Sequence, residues 1–337
     1  MRPRYLVPLV LALALLPLAP RAAAAAAAGK PIKLATLVPQ GSIWDKELRA
    51  IAEEAKKRTD GRVTFRVYPG GIEGDDQDVV RKMRLGQLQA ASLTVDGLTS
   101  LDKGFSIFSV PRFFASFDEL FAVAHALTPT LAERLDKQGF VFLGWGYGGW
   151  VYLFAKKPFY TPEDVKKLKL FVWGGNDNKM VDWWKSNGYH PVGLASTDIM
   201  TGLQTGMIDA MPAPPLIAIA LQWYRQAPNM LDLPMGQLIG ATVITKKAWQ
   251  QLSPADQATL KALAAQMQQR LEREIPGQDR QAVDEMSRRG LNVTKPRDPK
   301  AWDDAATLFA NTMREKVVPA DLFDMARKAR EELRSKH

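Results

Sequence analysis

The stretch 142–154, FLGWGYGGWVYLF, decides how this chain is read. Gly144, Gly146 and Gly149 spell G-x-G-x-x-G, the spacing of a dinucleotide-binding turn. That turn works by joining a strand to a helix whose N-terminus faces a pyrophosphate. A strand, FVFLGWG (140–146), does lead in, but WVYLFAKKP (150–158) follows, aromatic, β-branched and without a helix cap. With no helix there is no dipole for an anion, which counts against a nicotinamide or flavin oxidoreductase. Glycines inside an extended run mark a bend or a close backbone approach instead. A strand that bends as it crosses between two lobes is the expectation.

Outward from this stretch, strands and helices alternate. IKLATLV (32–38), RVTFRVYP (62–69), AASLTVDG (90–97), KLKLFVW (167–173) and ATVITKK (241–247) read as strands. Helices are announced by their caps: Ser42 before IWDKELRAIAEEAKKR, Asp75 and Asp76 before QDVVRKMRLG, and the S-x-x-E box SFDE at 116–119. Thr161-Pro162 and Ser253-Pro254 repeat one grammar, a hydroxyl cap, proline at the first helical position and an acid three residues after the cap. The second of these helices is expected to kink or stop at Pro276. The order predicts two α/β domains, each with a mainly parallel sheet. No Ser/Gly/Pro-rich linker separates them, so the chain is expected to cross between lobes more than once.

The N-terminus reads as a cleaved export signal. Arg2 and Arg4 precede an apolar run, and Ala22–Ala28 offers A-x-A cleavage sites. Pro8, Pro17 and Pro20 interrupt that run, which is short for a membrane span. Removing residues 1–28 lowers the net charge from +9, because the segment holds three arginines. The remaining basic residues are scattered among acids, with no stripe of the kind nucleic acid selects. Zero cysteines exclude disulfides, thiolate metal sites and cysteine nucleophiles. AMPAPPLIAIALQW (210–223) is too short and proline-rich to span a bilayer and is expected to be buried.

Catalytic apparatus is not visible. The histidines are His125, His190 and His337, and none accompanies a G-x-S-x-G elbow. Asp75, Asp76 and Asp78 suit the positive end of a helix dipole better than a metal, the calcium-loop pattern being absent. NDN (176–178) reads as turn chemistry. No metal or cofactor is expected, and the chain is not read as an enzyme.

Three longer segments carry a family resemblance. VPQGSIWDKELRAIAEEAKKRTDGRVTFRVYPGGIEGDDQDVVRKMRLGQL (38–88), NGYHPVGLASTDIMTGLQTGMIDAMPAP (187–214) and VITKKAWQQLSPADQ (243–257) lie in one order along the chain. In that order they resemble the DctP-type solute receptors of tripartite ATP-independent periplasmic (TRAP) transporters. The resemblance covers about 31–294. It implies a two-lobed, hinge-closing binding fold with flanking helices, two crossing strands and long bridging helices. Residues 29–147 and 236–275 would form lobe I. Residues 148–235 and 276–337 would form lobe II and the bridging C-terminal helices. It also implies a periplasmic location, a small-molecule ligand in the interlobe cleft and a membrane permease as partner.

The chain departs from the family where the ligand is held. The resemblance places a carboxylate-binding arginine at Phe171, a proline at Trp173, a second arginine at Trp150 and an asparagine at Ala213. Arginine suits carboxylates because its planar fork makes two charge-assisted bonds. Phenylalanine and tryptophan make neither. The expected pocket is therefore hydrophobic or largely neutral, lined by Trp150, Phe171, Trp173, Met211 and Ala213, with Leu37, Val38 and Thr94 at further cleft-facing positions. Two readings stand beside it. The rings could fill the cleft as core in a ligand-free or ligand-gated interaction protein, or a relocated cation such as Lys179 or Arg225 could hold an acid. Trp183 and Trp184 are read as core. One branch of the family resembles this pattern, lacking the arginine and working with a periplasmic tetratricopeptide-repeat partner on hydrophobic cargo; membership of it stays open at this level.

Overall fold

The computed structural model describes residues 30–173, 179–314 and 316–336, without the side chains of Lys179 and Met180. The export signal, the NDN turn, His337 and the Lys179 ammonium lie outside the described residues. The described residues form ten strands: β1 (Ile32–Thr36), β2 (Phe65–Tyr68), β3 (Ala90–Thr94), β4 (Phe140–Ala155), β5 (Lys169–Val172), β6 (His190–Gly193), β7 (Ala210–Ala213), β8 (Asn229–Leu231), β9 (Gly236–Thr245) and β10 (Asn292–Thr294). Their order is β2-β1-β3-β9-β4-β7-β5-β6, with β8 on β4 and β10 on β8. Each half is parallel at its outer strands: β1 with β2 and β3, and β5 with β6 and β7. Antiparallel pairing is confined to the middle, where β9 meets β3 and β4, and β4 meets β7 and β8.

β4 is one strand of 16 residues that belongs to both halves. From Phe140 to Val151 it pairs with β9, and from Tyr152 to Ala155 it pairs with β7. The register shifts twice, between Phe142 and Gly144 and between Tyr147 and Gly149. At the second shift Gly149 adopts φ 100°, a conformation L side chains avoid, and a β-carbon there would stand 2.6 Å from the Asp279 carboxylate. At the first, a β-carbon on Gly144 would lie 3.3 Å from the Ala264 carbonyl of a packed helix. The glycines therefore serve bulges and a helix approach. No helix follows them, and the phosphate reading falls.

The helix Pro254–Arg288 spans 35 residues and runs through Pro276, where the sequence suggested a stop or kink. Proline in a helix interior costs about 3 kcal/mol. Here one buried stripe continues on both sides of it, Leu263, Met267, Leu271 and Ile275 before, Asp279, Ala282 and Met286 after. Burial of that stripe outweighs the lost bond. The residues before Pro276 join the larger core, which runs through both halves, while Met286 joins a core of second-half residues with Phe154, Phe171, Met211 and Met230. The helix thus bridges the two halves.

Caps fall where the sequence placed them, with one difference. Ser42 caps Ile43–Arg58, and Thr161 and Asp164 close a full capping box. Ser116 accepts from the Glu119 N–H, but the Glu119 carboxylate takes the Ala115 N–H at 2.8 Å and pairs with Arg334 at 2.6 Å instead of closing its box. Among the described residues no helix is long and apolar enough to cross a membrane. The run 210–223 is β7 followed by the short helix Pro215–Ala220.

Candidate functional site

Two cavities lie where the halves meet. The smaller, about 310 Å³, is bounded on the first half by Leu37, Val38, Trp44 and Thr94. On the second half it is bounded by Trp173, Ser196, Thr197, Met200, Ile217 and Trp223. Tyr147 and Gly148 of β4 and Leu238 to Gly240 of β9 complete it. No charged side chain lines it among the described residues. The larger, about 770 Å³, lies against Thr94–Asp96, β5, Trp183, Trp184, Tyr189 and the helix Pro299–Met313. Its walls are largely apolar, with a cluster of aromatic rings, and include Asp96, Asp182, Lys103 and Lys316. No arginine lines either cavity among the described residues.

The sequence-predicted residues divide. Leu37, Val38, Thr94 and Trp173 meet at the smaller cavity; Thr94, Phe171 and Trp173 also line the larger. Phe171 is fully buried, and its ring meets the Trp173 indole edge-on at 5.0 Å. Met211 and Ala213 line neither cavity and are buried in the second core. The pleat explains this, because successive side chains of β7 point to opposite faces, and it is Pro212 between them that reaches the larger cavity. Trp150 lines neither cavity. The bulge at Gly149 turns it onto Phe117, 5.1 Å away, in a file of rings that continues through Phe121 to Tyr147. Arg225 also lines neither cavity. Trp183 and Trp184 pack on Tyr189 and Phe309 as core, yet both also face the larger cavity.

Several polar groups at or beside the smaller cavity are already engaged. Thr94 donates its hydroxyl to Asp76 at 2.6 Å and its N–H to the same oxygen at 3.0 Å. Burial pushes the Asp76 carboxyl up to about 7 against those bonds. Burial, with the charge of Asp75, raises Asp96 to about 6. Asp75 itself bridges the halves: the Ser196 hydroxyl donates to it at 2.6 Å and the Ser196 N–H at 3.1 Å. Asp78 pairs with Arg81 at 2.6 Å. The three acids at 75–78 are thus held by a cross-half tie, a threonine and an arginine. Trp44 donates its indole N–H to the Tyr147 carbonyl at 2.6 Å, fastening the first half's helix to the crossing strand. His125 is hydrogen-bonded to Glu272 at 3.0 Å, a partnered surface histidine.

Sequence reasoning missed Trp44, Ser196, Trp223, Leu238 and Gln237. Trp44 reads as one of the apolar positions of an amphipathic helix, and Gln237 and Leu238 precede the run 241–247 that reads as a strand, so nothing local marks them as site residues. Gln237 and Leu238 take their place from β9, whose Leu238 and Ile239 line both cavities, while Trp44, Ser196 and Trp223 come to the smaller cavity from elements of the two halves distant in sequence.

The comparisons with known proteins agree with this architecture. The model of the family described as bacterial extracellular solute-binding protein, family 7, matches residues 34–316. The chain is 24% identical over 222 residues to a solute-binding protein of Chromohalobacter salexigens, covering 65% of each. It is 22% identical over 280 residues to the sialic acid-binding periplasmic protein SiaP of Vibrio cholerae, covering 82% of this chain and 86% of that one. Against the C4-dicarboxylate-binding periplasmic protein DctP of Rhodobacter capsulatus it is 25% identical over 232 residues, covering 68% of each. Among solved structures, DctP7 of Bordetella pertussis, a receptor binding pyroglutamic acid, superposes with a TM-score of 0.82 at 22% identity, covering 90% of this chain and 100% of that one. A Sulfitobacter TRAP solute-binding protein with bound β-D-galacturonate gives 0.81 at 19%, covering 90% and 100%. These likenesses establish the two-lobed fold. Taken with the family match across most of its length, they place the chain in the bacterial extracellular solute-binding protein family 7, a family of binders and not of enzymes.

Proposed function

We propose that the protein is an extracytoplasmic receptor of a TRAP transporter, exported through its cleaved leader to the periplasm. It binds a hydrophobic or largely neutral small molecule between the lobes and hands it to a membrane permease. Residues 29–147 with 236–275 form one lobe, and 148–235 with 276–337 the other. The observation that carries the ligand class is the smaller cavity, which has no charged side chain among its described lining. Several of the relatives named above bind acids, and a carboxylate needs a partner. Buried without one, it would carry a desolvation penalty of several kcal/mol. An apolar ligand burying on the order of 200 Å² gains roughly 5 kcal/mol from water exclusion before the cost of association. Hinge closure around such a ligand is the switching mode this fold supports.

The tie between Asp75 and Ser196 favours a second reading. It joins the halves directly through protein groups, as a ligand-free or ligand-gated interaction protein would need. Native mass spectrometry of the purified protein separates the two. A bound apolar molecule, or a thermal shift on adding one, supports the receptor. A protein that stays empty and shows no ligand-induced shift supports the interaction protein.

A further inference from the structure

We infer that Gly146 sets the depth of the smaller cavity: its missing side chain is the room taken by the apolar end of the ligand, which makes it a specificity-determining residue. This builds on the receptor reading above. Of the three glycines in G-x-G-x-x-G, the fold accounts for two, Gly144 by its approach to the helix Pro254–Arg288 and Gly149 by its left-handed bulge. Gly146 has neither reason to be glycine. Its backbone is not left-handed, and a β-carbon built on it would meet nothing within 4 Å. It is half-buried and lines the smaller cavity.

Strand alternation fixes where a side chain at 146 would go. No register shift falls between Gly144 and Tyr147, so Gly144 and Gly146 face the same side of β4. Gly144 faces Ala264 of the long helix, and Met267 and Leu271, on the next turns of that helix, line the smaller cavity together with Gly146. The space in front of Gly146 therefore belongs to that cavity. Across the ladder Gly146 pairs with Gly240, which lines the same cavity, so two opposed glycines give it a floor of bare backbone. Packing demands the glycine at 240, where a β-carbon would run into the Leu93 carbonyl oxygen. It makes no such demand at 146. Protein interiors are packed about as densely as organic crystals, and an apolar space left open beside a residue with room for a methyl group is suited to an apolar occupant.

The test titrates two uncharged probes, N-phenyl-1-naphthylamine and the smaller toluene, calorimetrically into the purified protein, Gly146→Ala and Gly146→Val. The larger probe is expected to lose about 5- to 100-fold in affinity, more with valine than with alanine, because the added carbons overfill the space it occupies. Toluene, which needs less of the cavity, is expected to bind the variants as it binds the parent. Gly146→Ala is expected to keep the parent's thermal midpoint or exceed it, since neither backbone nor packing opposes the new methyl. That variant decides the matter alone should Gly146→Val fold poorly. The inference is overturned, and the receptor reading stands, if the larger probe binds Gly146→Ala as tightly as the parent or if both probes weaken alike. A lower midpoint for Gly146→Ala overturns it too, because the methyl would then be meeting core and not the cavity. So does a parent that binds toluene but not the larger probe. If neither probe binds the parent, the receptor reading itself fails and takes this inference with it.

Discussion

Gly149→Ala is the substitution that most directly tests how the crossing strand is built. The residue sits at φ 100°, and its new methyl would stand 2.6 and 2.7 Å from the two carboxylate oxygens of Asp279. Asp279 cannot swing aside, being 5% exposed and held by the Trp150 N–H at 2.6 Å. Holding a non-glycine residue in a sparsely populated conformation costs about 1–3 kcal/mol. Displacing the carboxylate leaves the Trp150 N–H without its partner, for about 1–3 kcal/mol more. The expected loss is therefore roughly 2–6 kcal/mol, a large part of the stability of an ordinary domain. Gly146→Ala is the control, because its backbone is not left-handed and nothing lies within 4 Å of the added methyl. It should change stability by no more than about 0.5 kcal/mol, or raise it slightly by stiffening the unfolded chain. Urea titrations followed by circular dichroism on both variants decide the matter. Equal stability of the two would refute the account of the bulge and of the Asp279 anchor.

Other outcomes follow from the site. Phe171→Arg places a guanidinium at a fully buried position against Trp173 and should weaken an apolar probe at least tenfold, about 1.4 kcal/mol, in a tryptophan-fluorescence titration. Unchanged affinity would remove the ring from the site. Ser196→Ala deletes the hydroxyl donated to Asp75 and should cost about 1–2 kcal/mol of the closed form, seen as a larger radius of gyration in small-angle scattering of the free protein. An unaltered radius would show that the tie does not hold the halves. Asp76, raised from 3.8 to about 7, contributes stability that is full below its unfolded pKa and is lost as pH rises through its folded one. Stability should therefore fall between about pH 4 and 7, and Asp76→Asn should flatten that slope by up to ~1.4 kcal/mol per pH unit. A slope identical to the parent's would place the proton elsewhere.

The divide between what sequence and structure contribute runs through single residues. Ser42, Thr161 and Ser253 announce their helices because a cap is a contact between near neighbours, and period-two alternation announces the strands. The aromatic, uncapped run after Gly149 is enough on its own to reject a dinucleotide turn, since the missing helix is a local property. Pro276 does not stop its helix, because whether a proline ends a helix depends on the buried stripe beyond it. Glu119 leaves its capping box for Arg334, more than two hundred residues away.

At the site the same rule holds. Leu37, Val38, Thr94 and Trp173 are legible in the motifs, and they meet at the smaller cavity. Trp150 is not, because a one-residue shift at a bulge turns every following side chain to the other face. Met211 and Ala213 give way to Pro212 by the same alternation. The amino-acid order determined the elements, their sequence and the family, all carried by local periodicity and collinear motifs. Only the tertiary structure decided which faces of β4, β7 and β9 look into the cavities, because facing is set by register between strands distant in the chain.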